Sequence, residues 1–136
     1  MSRFVAQSPL VIDASALVEL LLQTEQGALV ERAIGDAELF APDVINPEVM
    51  QSLRGLERGG KLTSERASQA LTRFAESRIS RIPTRALMQQ AWSMRANVSA
   101  YDACYVALAR ELKCELLTTD KPLTDAPNLG VPLIIV

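Results

Sequence analysis

A chain of 136 residues, 49% hydrophobic and 22% charged with a formal net charge of −2, fits one globular domain spanning residues 1–136, large enough to bury a core without staples. It has no histidine and two cysteines, Cys104 and Cys114, which excludes a cysteine–histidine nucleophile and leaves zinc without its usual ligands. Met1 to Gln7 lacks an apolar core and "LVIDASALVELLL" is broken by Asp13 and Glu19, so neither a signal peptide nor a membrane span is expected, and the cytoplasm is the expected location.

In chain order, "PLVID" (9–13) predicts a short buried strand, being apolar, branched and opened by Pro9. "SALVELLLQ" (15–23) has helical spacing, with Ser15 placed to cap it. "EQGALVERAIGD" (25–36) predicts an amphipathic helix with Leu29, Val30, Ala33 and Ile34 as its apolar positions. "AELFAP" predicts a strand ended by Pro42. "VINPEVMQSLRGLERGG" predicts a helix with Val49, Leu53 and Leu56 on one stripe and Gly59-Gly60 as its stop. Thr63 or Ser64 starts the next helix, and "RISRIP" alternates as a strand does. "TRALMQQAWSMRAN" predicts a helix whose Met88, Trp92 and Met94 are expected in the core, with a dimer face as the other reading. "SAYDACYVALARELKC" is the most apolar helix and is expected at the centre. Both cysteines fall on it, ~15 Å apart at ~1.5 Å per residue, too far for a disulfide. "ELLTTD" and "VPLIIV" predict the last two strands. Strands alternating with helices predict an α/β fold: three layers, α/β/α, around a mostly parallel sheet of four to five strands.

The charge divides unevenly. Residues 1–50 hold two basic and eight acidic side chains, residues 51–95 nine basic and three acidic, and residues 96–136 three basic and five acidic. Solvated helix faces explain this pattern, and so does a basic rim around an acidic site that receives a polyanion.

Open α/β sheets bind ligands beyond the carboxyl ends of their strands. Asp13 follows the first strand and Asp120 follows "ELLTT". Glu48 and Asp102 stand near the starts of their helices, which face the same edge when they follow parallel strands. Each has a plainer reading: Asp13 as a turn acid, Glu48 as a complement to a helix N-terminus, Asp102 as part of a capping box with Ser99, Asp120 as an Asx-turn residue. Four acids supplied by two strand ends and two helix starts are harder to explain that way. Gathered carboxylates repel one another and raise each other's pKa unless a cation sits among them. The expected cation is hard and oxygen-bound, Mg²⁺ or Mn²⁺, able to activate water toward a phosphodiester.

These residues resemble a known family. "VIDASALVELLL" is similar to the opening of PIN domains, above all the VapC-type ribonuclease toxins of toxin–antitoxin pairs. "PEVMQSLR" resembles their second acidic motif, "SAYDACYVALA" their most recognisable helix and "LLTTDKPL" their last motif. The resemblance covers essentially the whole chain. It implies a PIN-like fold and a metal-dependent endoribonuclease in which Asp13, Glu48, Asp102 and Asp120 hold Mg²⁺ or Mn²⁺, Asp13 and Asp102 first among them. It implies that Ser15 and Thr118 orient those acids and that Arg54 contacts substrate, although six residues from Glu48 place it on another helix face. Asp125 is an extra acid near the metal or, as the better reading, a helix cap. The implied partners are an RNA substrate such as tRNA, a cognate antitoxin and a second copy in a homodimer.

Two readings compete. A receiver-like signalling module shares the parallel sheet and Mg²⁺, but needs a paired acidic motif after the first strand and a phospho-acceptor aspartate after a central one. An RNA-binding or scaffold protein without catalysis shares the basic middle but does not need four acids.

Overall fold

The computed structural model describes residues 7–120, 123, 125–126 and 129–136. Most of the Met1–Gln7 stretch lies outside the described residues, as do Lys121 and Pro122 of "TTDKP" and Thr124 and Pro127 of "LTDAP". In chain order the elements are β1 (Pro9–Ile12), α1 (Ala14–Leu22), α2 (Glu25–Ile34), β2 (Glu38–Pro42), α3 (Ile45–Arg58), α4 (Ser64–Ala75), β3 (Ser80–Ile82), a 3-10 turn (Thr84–Leu87), α5 (Met88–Trp92), α6 (Ala100–Leu112), β4 (Leu116–Thr118) and β5 (Leu133–Ile135).

The strands form one sheet in the order β3-β2-β1-β4-β5, every neighbouring pair parallel. Parallel strands need crossovers, and these are right-handed. The crossovers from β1 to β2 and from β2 to β3 step one way across the sheet and carry α1 to α4, which pack on one another. The crossover from β3 to β4 steps back and carries α5 and α6, with α6 lying along β1, β2 and β4. The result is the three-layer α/β/α architecture. Val11, Ile12, Leu116 and Leu117 are fully buried at its centre. The order also disposes of the receiver reading, whose sheet runs 2-1-3-4-5; here β3 is an edge strand, and Ser80–Ile82 holds no acid.

Local chemistry sets the boundaries. Thr24, Thr63 and Ser99 cap α2, α4 and α6, each side chain accepting a backbone N–H of the first turn. Asp13, not Ser15, caps α1: its carboxylate accepts the Ala16 N–H, while Ser15 lies inside the helix. The carboxylate one residue beyond the strand reaches the first turn before the hydroxyl does. Gly27 lets α2 approach α1, since a Cβ there would stand 2.2 Å from the Glu19 carbonyl oxygen.

Four details depart from expectation. Leu29 is 48% exposed while Val30 is fully buried, so the apolar stripe of α2 is narrower than its sequence. The helix expected over 84–97 breaks into a 3-10 turn, five residues of α5 and further turns. Ser93 and Arg95 explain the end of α5, because their side chains donate to the Gln90 and Trp92 carbonyls there. In that segment Met94 is buried, but Met88 and Trp92 are on the surface at 62% and 67% exposure. Cys114 stands just past the end of α6, and both cysteines are free.

Candidate metal and nucleic-acid site

The strand order reverses between β1 and β4, which places a crevice at their carboxyl ends. The register pairs Val11 with Leu116 and Ile12 with Leu117, and the Asp13 N–H donates to the Leu117 carbonyl at 3.1 Å. The next residues on the two strands, Asp13 and Thr118, therefore meet side by side.

Asp13 and Thr118 are the buried polar side chains among the described residues, Asp13 at 5% exposure. A carboxylate taken from water needs donors, and Asp13 has three. Ser15 donates its hydroxyl to Oδ1 at 2.6 Å, the Ala16 N–H donates to the same oxygen at 3.0 Å, and the Thr118 hydroxyl donates to Oδ2. Each hydroxyl also accepts a backbone N–H, Ser15 from Thr119 at 3.2 Å and Thr118 from Asp120 at 2.9 Å. Two small side chains thus fasten the end of β1 to the end of β4, holding the Asp13 carboxylate and the Asp120 backbone.

Glu48 enters from the first turn of α3 and Asp102 from the first turn of α6. With Asp13 and Asp120 they line one cavity of about 580 Å³, together with Ser15, Gln51, Ser52, Tyr101 and Tyr105. Gln51 and Ser52 follow Glu48 by three and four residues and Tyr105 follows Asp102 by three, so each helix presents one face to the cavity. Tyr105 was not singled out from the sequence, although that spacing was available to find it. Its hydroxyl donates to Glu48 Oε1 at 2.6 Å, and its ring is buried.

The cavity is electrostatically loaded. Burial pushes the Asp13 carboxyl up against the pull of its three donors, and the Asp120 charge adds to the rise. Burial also raises Glu48; the Tyr105 hydrogen bond opposes this and the Asp13 charge reinforces it. Asp102 is pushed up to about 6, first by burial and then by the charges of Asp120, Asp13 and Glu48. Asp102 thus feels the other three acids. Cys104 is no rival nucleophile, because burial and the charges of Glu48 and Asp43 push its thiol up.

Arg54 is exposed on α3 and does not line the cavity. Asp125 is an exposed turn residue, also away from the lining. Among the described residues the lining holds neither lysine nor arginine, so the basic middle of the chain does not reach the acids. Part of the basic middle is structural. Arg66 and Arg73 donate to the Leu22 and Leu21 carbonyls at the end of α1, and Arg81 donates to Asn46, Ile79 and Phe74.

A ready-made cage is not present: among the described residues no three acids or cysteines stand close enough to hold an ion by themselves. The donor set still suits a small hard ion. Mg²⁺ and Mn²⁺ keep several waters and take one or two carboxylates directly, leaving other acids to bind through those waters, whereas a soft or nitrogen-seeking metal finds no ligands here. Mutual repulsion of the acids is the force a divalent cation would relieve.

A parallel sheet of this order, with a buried acid at its switch point and three more around the same crevice, defines the PIN class. The PIN-domain family model matches residues 10–129, and the chain belongs to that family. Within it the chain is of the VapC type: Ribonuclease VapC9 of Mycobacterium tuberculosis is 35% identical over 127 residues, 93% of this chain and 98% of the relative. Two solved structures share the fold. VapBC2 from Rickettsia felis, bound to a DNA fragment from its promoter, has a TM-score of 0.66 at 12% identity, covering 93% of this chain and 98% of that one. VapC20 of Mycobacterium tuberculosis, a sarcin-ricin loop cleaving toxin, has a TM-score of 0.62 at 14% identity, covering 85% and 92%.

Proposed function

We propose that this chain is an endoribonuclease, the toxin of a VapBC-type pair, hydrolysing RNA phosphodiesters with Mg²⁺ or Mn²⁺ held by Asp13, Glu48, Asp102 and Asp120. The observation that carries the reading is the shared cavity: a buried, triply hydrogen-bonded Asp13 facing three other acids. The ribonuclease relatives of the VapC type support it.

A bound divalent ion supplies charge for the phosphodiester and lowers the pKa of water. The chain supplies placement. Ser15, Thr118 and the Ala16 N–H hold Asp13 in one rotamer, and Tyr105 holds Glu48. Ser99 is the partner of Asp102 at the start of α6. Tyr101, 58% exposed at the mouth, offers a flat face on which an unpaired base can stack, a reason for the site to take single-stranded RNA. Arg54, outside the cavity, is kept as a contact for phosphates further along the strand.

The partners are an RNA such as tRNA, a cognate antitoxin and a second copy of the chain. A homodimer is supported by the exposed Met88 and Trp92, which line an apolar groove with Ala91 and Val98. Among the described residues no helix is long and apolar enough to cross a membrane. The proposed place of action is the cytoplasm, where its RNA substrate lies. Purified protein incubated with total RNA and Mg²⁺ is expected to yield discrete new ends. EDTA and Asp13→Asn are each expected to abolish them. Equal cutting by wild type and Asp13→Asn would overturn the proposal.

A further inference from the structure

We infer that Tyr105 is a positioning residue for the metal site, acting through Glu48; the inference rests on the reading of Glu48 as a metal ligand. Three elements meet at one phenol. Tyr105 stands on α6 one turn beyond Asp102, its ring packed in the core with 2% exposure. Its hydroxyl donates to Glu48 Oε1 on α3 at 2.6 Å. The backbone N–H of Ala14, the residue after Asp13 at the start of α1, lies close to the same hydroxyl. A phenol has one proton to give, and here it goes to Glu48.

The consequence is geometric. Glu48 is half-buried and sits on a flexible side chain; the hydrogen bond occupies Oε1 and leaves Oε2 for a cation. The burial of the ring and the Ala14 contact anchor the phenol to the element that carries Asp13. One rigid side chain therefore sets the spacing among Asp13, Glu48 and Asp102, a spacing that no direct contact among these repelling acids could maintain. Partners of this kind behind a metal ligand change affinity by roughly 10- to 100-fold when removed.

Tyr105→Phe keeps the ring and deletes only the hydroxyl. Mn²⁺ binding to purified full-length protein, followed by the electron paramagnetic resonance of free Mn²⁺, is expected to weaken about tenfold or more in this variant, with an unchanged circular dichroism spectrum. The same deletion made in Glu48→Gln is expected to change Mn²⁺ affinity little, because the group through which it acts is already gone. Equal affinity of wild type and Tyr105→Phe overturns the inference and leaves the metal reading standing. An equal loss in both backgrounds, or a variant that fails to fold, also overturns it, since the hydroxyl is then structural. A wild type that binds no Mn²⁺ overturns the metal reading itself.

Discussion

Asp102 shows at the scale of one residue what the crowding of acids does. Its carboxyl is lifted from 3.8 to about 6, so between those values the folded chain holds a proton that the unfolded chain has released. Stability from this group is full below about 3.8 and is lost as the pH rises through about 6. Asp13 and Glu48 are shifted the same way. Without metal, the contribution of Asp102 to stability should therefore fall between pH 4 and pH 7. Asp102→Asn should flatten that fall and raise stability at pH 7 by on the order of 1 kcal/mol, a lift of about two units being cut by solvent screening of a half-exposed group. Thermal unfolding in EDTA across this range checks it, and a variant that melts lower than wild type at pH 7 contradicts it. Thr118 is the opposite case, a buried residue whose hydroxyl serves Asp13 and the Asp120 N–H together. Thr118→Val is expected to cost about 1–3 kcal/mol in urea unfolding, because it strips a partner from two groups at once.

At the scale of elements, the alternation of apolar strands and amphipathic helices was legible because each has its own period, and every strand expected from the sequence is present. The four acids were legible for a related reason: topology ties strand ends and helix starts to one edge. What the sequence hid depended on contacts across the chain. The cap of α1 turned on whether Asp13 or Ser15 reached the first turn. The broken helix after Pro83 depended on Ser93 and Arg95 competing for carbonyls, while its buried positions Leu87, Ala91 and Met94 still kept helical spacing. The basic middle looked like a rim, yet several of its arginines bond carbonyls at helix ends, which composition cannot show. The spacing of Tyr105 from Asp102 marks its helix face, but its bond to Glu48, 57 positions away, exists only in the fold. The α1–α2 contact gives a prediction at this scale. Gly27→Ala places a methyl against fixed backbone at the Glu19 carbonyl, and the helices must part. A loss of about 1–3 kcal/mol is expected in the same unfolding assay, and an unchanged midpoint would contradict the close approach.

In the whole molecule the fold brings four like charges to one cavity, and the proposed cation would relieve their repulsion. A ligand that binds only the folded state adds stability by mass action, about 2.7 kcal/mol at a hundredfold excess over Kd. Mn²⁺ should therefore raise the melting temperature of the wild type and leave Asp13→Asn nearly unmoved. The exposed α5 face belongs to this scale as well. Trp92→Glu should convert a dimer to a monomer in light scattering while preserving cleavage per chain, and an unchanged mass would remove that face from the assembly.

The most direct measurement is anomalous diffraction at the manganese edge from crystals grown with Mn²⁺. The account predicts a peak inside the cavity, bonded at roughly 2.1 Å to Asp13 or Asp102 with waters completing the shell. A peak elsewhere, or an empty cavity at Mn²⁺ concentrations that support RNA cleavage, would contradict it.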